Sequence, residues 1–352
     1  MTIQRFDQAA LRDYYGTVLQ GSADLETSAC CCTDEGLSPS IKSALAEIED
    51  EVLSRFYGCG SPLPPLLEGC TVLDLGCGTG RDAFLASRLV GPEGHVIGLD
   101  MTEEQLAVAQ RNLDAQMQRF GYREANVEFR QGFIEDLRDA GIEDDSIDVV
   151  ISNCVLNLSP DKPAVFSEIF RVLKPGGELY FSDVFAGRRI PERFHDDPVL
   201  HGECLAGAMY REDFRRLLRE LGCLDYRTMS SRRIALESPE IEAKIGMIDF
   251  HSVTVRAFKL DLEDLCEDYG QVAVYRGTIP DWPHWLDLDD HHRLHTGKPM
   301  LVCGNTAAML QDTRFGAHFE IRGDRSVHYG PFDCGPGAEK AALDAGSGGA
   351  CC

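Results

Sequence analysis

The chain has 352 residues, 43% of them hydrophobic, which is enough for one large domain with a buried core and a smaller appended unit. The formal net charge is -24 and no block of Lys or Arg interrupts the acidic background, so neither nucleic acid nor an anionic membrane surface is expected as a partner. No run of about 18 apolar residues could span a membrane and the first residues lack a secretory signal, so a cytoplasmic protein is expected.

Residues 1–60 predict a polar, helical N-terminal segment that contains the cluster Cys30-Cys31-Cys32. Strands and helices then alternate over residues 61–185, which is typical of an α/β fold with a doubly wound, mostly parallel sheet. The strands are predicted at residues 71–75, 95–99, 127–131, 147–152 and 178–184. The helices are predicted at residues 81–89, at 102–120 with Thr102 as the N-cap, and at 163–173, ending at a Pro175-Gly176-Gly177 turn.

A looser segment follows over residues 186–277. It contains an amphipathic helix at residues 211–221, and strands at residues 226–234, 252–260 and 271–275 that complete the same sheet. The composition changes again at Pro280-Asp281-Trp282-Pro283, and residues 278–345 predict a small α+β module without catalytic residues. Residues 346–352 predict a flexible tail that ends in Cys351-Cys352.

A glycine loop follows the first of the alternating strands. Gly76, Gly78 and Gly80 separate this strand from a helix, which puts backbone N–H groups and a helix N-terminus at the carboxyl edge of the sheet, where α/β folds bind ligands. A nicotinamide-binding loop needs the spacing G-x-G-x-x-G, and this loop has one residue too few. Asp100 ends the second strand, where a carboxylate can accept hydrogen bonds from ribose hydroxyls.

Three further motifs resemble those of class I S-adenosylmethionine (SAM)-dependent methyltransferases, over about residues 60–185: Asp74, Ile134-Glu135-Asp136 and Leu173-Lys174-Pro175-Gly176-Gly177. The resemblance implies a Rossmann-like class I fold with SAM as the methyl donor. In that family Asp74 and the loop glycines would lie near the methionine portion, Asp100 would bind the ribose, and Ile134 and Glu135 would flank the adenine. The implied SAM-binding residues are Asp74, Gly76, Cys77, Gly78, Thr79, Gly80, Asp100, Met101, Ile134, Glu135 and Asn153.

Fourteen cysteines are present, and thiols that stay reduced in an intracellular compartment are expected to bind a metal or metalloid or to take part in redox chemistry. Cys154 follows the fourth strand and so faces the crevice at the carboxyl edge, and Cys59 and Cys204 lie in segments that can converge there. Six others are assigned to packing as small buried hydrophobes: Cys70, Cys77, Cys223, Cys266, Cys303 and Cys334.

The segments around the three converging cysteines resemble the cysteine motifs of arsenite methyltransferases, and the similarity extends over nearly the whole chain. The motifs are Tyr57-Gly58-Cys59-Gly60, Ser152-Asn153-Cys154-Val155-Leu156-Asn157-Leu158 and Gly202-Glu203-Cys204-Leu205-Ala206-Gly207-Ala208. The resemblance implies that Cys59, Cys154 and Cys204 bind arsenic(III), with residues 186–277 contributing to the arsenic site. It also implies disulfide turnover by a cysteine of the N-terminal cluster, for which Cys31 and Cys32 are preferred, although the choice among Cys30, Cys31 and Cys32 stays open.

The resemblance further implies an enzyme that acts as a monomer on arsenite or its thiol conjugates, gives mono- and dimethylated arsenicals, and uses thioredoxin or glutathione as reductant. The residue type fits, because arsenic(III) is soft and selects thiolates over imidazole or carboxylate. Held by three sulfurs, arsenic keeps a lone pair that can attack a sulfonium methyl in line. Catalysis would then rest on positioning and on a crevice poor in water, without a general base.

Other interpretations of these residues stay open. The three cysteines could form a structural zinc site with Glu203 or His201 as a fourth ligand. The methyl acceptor could instead be a quinone or another small organic molecule, or the chain could bind a metalloid without turnover. The segment His291-His292-x-x-His295 lacks the helix and catalytic Glu of a zincin and is assigned to a polar surface loop.

Overall fold

The computed structural model describes residues 37–334, apart from residues 57, 59, 61, 196, 198–199, 201–203 and 237. The predicted helix at residues 6–20, the cysteine cluster at residues 30–32 and the tail at residues 346–352 lie outside the described residues, as does Cys59. None of the described helices has the length and apolarity needed to cross a membrane.

Eight strands form a central sheet: β1 (Thr71–Leu75), β2 (His95–Asp100), β3 (Val127–Gln131), β4 (Ile147–Asn153), β5 (Leu173–Ala186), β6 (Met209–Tyr210), β7 (Tyr226–Arg233) and β8 (Phe250–Phe258). Their order is β3-β2-β1-β4-β5-β8-β7, with β6 beside β5. Strands β1 to β5 are parallel, and β8 is antiparallel to both β5 and β7. The predicted doubly wound, mostly parallel sheet is therefore confirmed.

Helices cover both faces of this sheet. The described helices are α1 (Pro39–Leu45), α2 (Asp50–Ser54), α3 (Arg81–Val90), α4 (Glu103–Phe120), α5 (Lys162–Val172), α6 (Arg211–Glu220), α7 (Pro239–Ile245) and α8 (Gly304–Gln311). Successive side chains of a strand point to opposite faces. In β1, Val72 packs in a cluster with residues of α3 and α4, whereas Leu73 and Leu75 pack in a cluster with residues of α5 and α6. The continuous apolar run of this strand is what burial on both faces requires.

Two local predictions are wrong in detail. Thr102 occupies the N-cap position of α4, but its side chain makes no capping hydrogen bond, and its N–H donates to Asp100 Oδ1 at 2.8 Å. The predicted turn at Pro175-Gly176-Gly177 lies within β5, where the pairing with β4 jumps from Leu173 to Glu178. At Thr102 the difference is local, whereas Gly176 and Gly177 exchange backbone hydrogen bonds with Lys259, a tertiary contact that the local sequence does not signal.

A smaller unit follows β8. Its strands are β9 (Glu267–Asp268), β10 (Gln271–Tyr275), β11 (Trp285–Asp287), β12 (Arg293–His295), β13 (Met300–Val302), β14 (Phe319–Arg322) and β15 (Gly330–Pro331). Strand β10 lies between β13 and β14, while β9 pairs with β15 and β11 with β12. The strand predicted at residues 271–275 is thus present, but it belongs to the smaller unit rather than to the large sheet.

A buried ionic network joins the smaller unit to the large sheet. Arg256 on β8 donates from Nε to Glu178 Oε1 on β5 at 2.5 Å, and both side chains are fully buried. Arg256 also donates to the Leu288 carbonyl at 2.6 Å, and Arg314 forms an ion pair with the other oxygen of Glu178. Leu288 and Arg314 both belong to the smaller unit, so the two regions are held by buried charges and not by a solvated linker.

Candidate active site

A crevice lies at the carboxyl ends of β1, β2 and β4. It comprises about 1110 Å³ of space, part of it open to solvent. Cys154 and Cys204 line it, together with all of the predicted SAM-binding residues except Gly80: Asp74, Gly76, Cys77, Gly78, Thr79, Asp100, Met101, Ile134, Glu135 and Asn153.

The glycine loop has backbone conformations that favour glycine. The φ angle is 71° at Gly76, 53° at Gly78 and 88° at Gly80. A Cβ on Gly76 would lie 2.4 Å from the Val155 side chain and one on Gly80 would lie 2.9 Å from Phe129, whereas one on Gly78 would meet nothing within 4 Å. Gly76 and Gly80 therefore allow close packing, and Gly78 leaves open space beside the N-terminus of α3, where a carboxylate is favoured.

Asp100 ties the glycine loop to the start of α4. Its Oδ2 accepts a hydrogen bond from the Gly78 N–H and its Oδ1 accepts one from the Thr102 N–H, both at 2.8 Å. Burial raises the pKa of Asp100, while these hydrogen bonds act in the opposite direction. Each carboxylate oxygen has a further lone pair, so Asp100 can still accept hydrogen bonds from a ribose.

Asp74 has a buried oxygen that suits a cationic ligand. Its carboxylate accepts a hydrogen bond from the Ala83 N–H, while Oδ2 has no hydrogen-bond partner within the described part of the chain. Burial, followed by the negative charges of Asp82 and Asp100, raises the pKa of Asp74 well above its usual range. Buried polar atoms nearly always have partners. SAM carries an ammonium and a sulfonium group, so the residues present fit this ligand.

Asp82, which the sequence analysis missed, is a second buried carboxylate of the crevice. Arg81 donates to its Oδ1 and the Asn153 side chain donates to its Oδ2, both at 2.9 Å. The Arg81 guanidinium in turn lies over the Phe56 ring, 3.9 Å from the centroid. The only sequence signal was an acidic residue in the first turn of α3, which a favourable interaction with the helix dipole explains equally well.

The chain on either side of Cys59 packs against the end of β4. Gly60 exchanges two hydrogen bonds with the Asn153 side chain, its N–H donating to Oδ1 at 3.3 Å and its carbonyl accepting from Nδ2 at 3.0 Å. A Cβ on Gly58 would lie 2.7 Å from Asn153 Nδ2, and one on Gly60 would lie 2.3 Å from Ser182 Oγ. The two glycines thus lie close against the residue that precedes Cys154.

Cys154 and Cys204 are neighbours in the crevice. The Cys204 Sγ lies 3.5 Å from the Cys154 carbonyl oxygen, and the two residues are 2% and 5% exposed respectively. Both have left-handed backbone, with φ of 57° at Cys154 and 60° at Cys204, a strain of roughly 1–3 kcal/mol for each residue. Cys154 is disulfide-bonded.

A buried polar network supports the loops that carry these cysteines. No motif in the sequence had indicated this network. The Asn157 side chain donates to Asp183 Oδ1 at 2.7 Å and to the Val184 carbonyl at 2.6 Å, and it accepts from the Met209 N–H at 3.3 Å. Burial raises the pKa of Asp183 to about 6 and lowers that of Lys162, which donates to the Asn157 carbonyl at 3.1 Å. The loop after β4 is thereby connected to the chain after β5.

The remaining wall of the crevice is formed by the segment after β3 and by the helices before β1. The Ser159 hydroxyl donates to Glu135 Oε1 at 2.5 Å, and the Thr79 hydroxyl donates to the Val52 carbonyl at 3.2 Å. Four more lining residues were missed, because they have no motif of their own: Arg55, Phe56, Gln105 and Phe133.

Three of the cysteines assigned to packing lie together instead. The thiol sulfurs of Cys266, Cys303 and Cys334 are all within 4.8 Å of one another, and all three thiols are free. Cys223, in contrast, packs in the core of the large sheet, and burial raises its pKa to about 12. The packing assignment of Cys223 agrees with its place in this core, whereas nothing in the sequence indicated that the other three sulfurs lie together.

The histidine-rich segment is not a surface loop throughout. His292 is buried and its Nδ1 lies 2.8 Å from Asp289 Oδ2, while His295 is part of β12. Asp289 also forms an ion pair with the buried Arg227 at 3.3 Å. This part of the segment has a structural role, in which a buried histidine supports a buried ion pair.

Comparison with known proteins adds to this geometry. A methyltransferase domain family matches residues 66–222, and the arsenite methyltransferase C-terminal domain family matches residues 269–344. The arsenite methyltransferase of Aquipseudomonas alcaligenes is 51% identical over 349 residues, which cover 97% of this chain and 99% of that protein. The human arsenite methyltransferase is 42% identical over 326 residues, which cover 89% of this chain and 86% of that protein.

A solved structure is similar over most of the chain. It is the crystal structure of an arsenic(III) SAM methyltransferase from Chlamydomonas reinhardtii, with a TM-score of 0.82 and 53% sequence identity. The similarity covers 85% of this chain and 100% of that one.

Proposed function

Because this chain belongs to the arsenite methyltransferase family and methylates arsenite with SAM, we propose that Cys154 and Cys204, together with Cys59, bind the arsenic that receives the methyl group. The similarity extends over nearly the full chain, which favours arsenic over the quinone acceptor as the substrate. To methylate arsenite, the chain's residues must bring the arsenic acceptor close to the methyl group of SAM.

One observation carries the proposal: Cys154 and Cys204 line the same crevice as the glycine loop. Their sulfur-bearing loops come from the end of β4 and from the chain between β5 and β6, so the sheet topology itself brings them together. Gly60, next to Cys59, is bound to the Asn153 side chain one residue before Cys154. A third thiolate from Cys59 would complete a pyramidal site of the kind arsenic(III) prefers.

The protein contributes to methyl transfer in two ways. It positions the donor and the acceptor, and it excludes water from the crevice. SAM, when bound, supplies an electrophilic methyl group on a sulfonium sulfur. Asp74, Asp100 and the glycine loop hold the donor, while the buried Cys154 and Cys204 hold the acceptor. An As–C bond forms from the arsenic lone pair as the C–S bond breaks, and its electron pair goes to the departing sulfur. No proton moves in this step, so no general base is required.

Turnover then requires two electrons, because methylation raises arsenic formally to the pentavalent state. Two cysteine sulfurs supply them by forming a disulfide, which returns arsenic to the trivalent state. The disulfide at Cys154 supports a role for this residue, and Cys31, Cys32 or Cys59 would supply the second sulfur. Thioredoxin or glutathione would reopen the bond by thiol–disulfide exchange, and repeated cycles on a single chain would give mono- and dimethylated arsenicals.

The decisive experiment is arsenic speciation after incubation with arsenite, SAM and thioredoxin. The unmodified chain should produce methylated arsenicals, and Cys154→Ser and Cys204→Ser should each reduce the rate by about 100-fold or more, because a misplaced reactant alone has effects of that size. Cys223→Ser is the matched control, since this thiol is equally buried but packs in the core away from the crevice.

SAM affinity, measured by calorimetry, distinguishes a lost arsenic ligand from a lost SAM site as the cause of reduced activity. Both crevice variants should keep it, because neither thiol is needed to bind the donor. Full activity of both Cys154→Ser and Cys204→Ser would refute the thiolate mechanism and leave the family activity intact. A loss of activity in Cys223→Ser as well would point to misfolding rather than to lost arsenic ligands.

A further inference from the structure

Cys266, Cys303 and Cys334 come from three separate parts of the smaller unit. Cys266 directly precedes β9 and Cys334 lies shortly after β15, and the antiparallel pairing of these strands continues through a hydrogen bond from the Phe332 N–H to the Cys266 carbonyl at 2.8 Å. Cys303 follows β13 and begins α8. The three sulfurs lie within 4.8 Å of one another, and none of these residues lines the SAM crevice. We call this group the trithiol cluster.

Cys303 is held in place at the N-terminus of α8. Its sulfur accepts a hydrogen bond from the Thr306 N–H at 3.4 Å and lies 3.2 Å from the Thr306 hydroxyl oxygen. Hydrogen bonding from Cys266, then from Thr306, and the positive charge of Arg227 lower the pKa of Cys303 to about 4. The same contact with Cys303 raises the pKa of Cys266. One thiolate is thus available while its neighbour keeps a proton.

The buried guanidinium beside the trithiol cluster is already paired with carboxylates. Arg227 on β7 is buried and donates to the Asp225 carboxylate at 2.7 Å, to Asp289 at 3.3 Å and to the Thr306 hydroxyl at 3.2 Å. Two carboxylates therefore face one guanidinium. A ligand that left a net negative charge on the three sulfurs would add to the charge of these two carboxylates, and buried unpaired charge is costly.

We propose that the trithiol cluster is a second arsenic(III) site, which binds arsenic without methylating it. Three cysteine sulfurs displace the three hydroxyl groups of arsenous acid: three As–S bonds form, three As–O bonds break, and the hydroxyls leave as three water molecules with the thiol protons, the proton that Cys303 has already released being taken back from solvent. No electrons are transferred, so no oxidant or reductant is required. The product is neutral, which suits a place where Cys303 is fully buried and the neighbouring charges are paired.

The composition of the cluster favours arsenic over zinc. Structural zinc sites have four ligands, usually cysteine and histidine. Among the described residues, no His, Asp or Glu atom joins the three sulfurs within 4.8 Å. Three thiolates around Zn²⁺ would also leave one net negative charge, whereas three around arsenic(III) leave none. The choice of arsenic as the ligand rests on the proposed function. The clustering of the three thiols does not depend on that function.

The test uses the full-length chain with serine at eight other cysteines: 30, 31, 32, 59, 154, 204, 351 and 352. This background chain lacks the three thiols that are proposed to bind arsenic at the crevice, those of Cys59, Cys154 and Cys204. Native mass spectrometry with arsenite and a phosphine reductant should show one arsenic per chain, with the loss of three protons. Cys334→Ser in the same background should weaken arsenite binding by about 10- to 100-fold or more, since even the loss of a residue that only orients a ligand has effects of that size.

Cys70→Ser in the same background is the matched control and should leave binding unchanged, because Cys70 packs against a core cluster of the large sheet that contains none of the three cysteines. Cys334 is half-buried, so its replacement should disturb the fold less than replacement of the fully buried Cys303, and a thermal unfolding scan with and without arsenite gives a second readout. Arsenite should raise the Tm of the background chain but not that of its Cys334→Ser variant.

Three results would overturn the second site: no arsenic on the background chain, unchanged binding after Cys334→Ser, or displacement of bound arsenic by an equal concentration of zinc. Each is independent of methyl transfer, because the background chain is inactive by design. A failure of the crevice variants to lose activity would instead concern the proposed catalytic thiols.

Discussion

Thiols meet at two places in this chain, and their surroundings differ. At the crevice, Cys154 and Cys204 have strained left-handed backbone and lie beside about 1110 Å³ of space shared with the glycine loop. At the trithiol cluster, the sulfurs lie against a helix N-terminus and a buried ion pair, away from that space. If both sites bind arsenic as proposed, only the thiols that share the crevice with the glycine loop can meet the methyl donor.

The two places also belong to regions that are joined by buried charges. Glu178 and Arg256 of the large sheet contact Leu288 and Arg314 of the smaller unit, so removing the smaller unit near residue 280 would leave both charges without these partners. The absence of catalytic residues from the smaller unit stays a prediction. A point substitution in the network tests the coupling of the regions more directly than a truncation does.

The largest effect on stability is expected from Arg256→Met. The substitution keeps most of the side-chain volume but removes a charge that lies against Glu178, and the loss of one partner of a buried ion pair costs roughly 3–5 kcal/mol. Urea unfolding should show a decrease of that size in the free energy of unfolding. The matched control is Arg233→Met, whose ion pair with Asp249 is exposed and should contribute at most about 1 kcal/mol.

A decrease below about 1 kcal/mol in Arg256→Met would mean that the two regions are not coupled through this network. Two separate unfolding transitions, in place of one, would show that the smaller unit had become an independent domain. Either outcome would mean that the large sheet and the smaller unit are separate domains and not parts of one folded body.

A smaller effect is expected from the pH dependence of Asp183, which supports the crevice side. Its folded pKa of about 6 lies above the usual value of 3.8, so the folded state binds more protons between these pH values. The stabilisation from this carboxyl is therefore complete below pH 3.8 and is lost as pH rises through about 6, by about 1.4 kcal/mol per pH unit within the window.

Asp183→Asn removes this titration. The difference in the free energy of unfolding between the unmodified chain and Asp183→Asn should decrease as pH rises from about 4 to about 6 and then stay constant. A difference that is constant across the window would mean that Asp183 does not titrate there. Its network with Asn157 would then be held by an ionised carboxylate.

The sequence predicted the crevice well and the trithiol cluster not at all. Strands β1 and β3 have the predicted bounds because the apolar run of β1 and the alternating pattern of β3 each end before a glycine, and the parallel order puts Asp74, Asp100 and Cys154 at one edge. Cys266, Cys303 and Cys334 have no common spacing, and only the pairing of β9 with β15 brings two of them together. Such pairings depend on the tertiary fold, as does the choice of β13 and β14 as partners of β10.

The smallest effect expected concerns Asp74, a buried crevice carboxylate whose Oδ2 has no hydrogen-bond partner in the described part of the chain, whereas the carboxylates beside the trithiol cluster pair with Arg227. Burial and the charges of Asp82 and Asp100 make its ionised form costly, and a cationic ligand relieves that cost. Asp74→Asn keeps the shape and removes the charge. Calorimetry should show SAM affinity about tenfold weaker, equivalent to about 1.4 kcal/mol.

The demethylated product of SAM separates the two cations that Asp74 could contact, because it keeps the ammonium group and lacks the sulfonium charge. Equal weakening for both ligands in Asp74→Asn assigns the carboxylate to the ammonium, whereas weakening for SAM alone assigns it to the sulfonium. Asp114→Asn, an exposed position on α4 outside the crevice, is the control and should change neither affinity. Unchanged SAM affinity in Asp74→Asn would mean that the unpartnered Oδ2 does not contact the donor. The charge of Asp74 would then make no contribution to SAM binding.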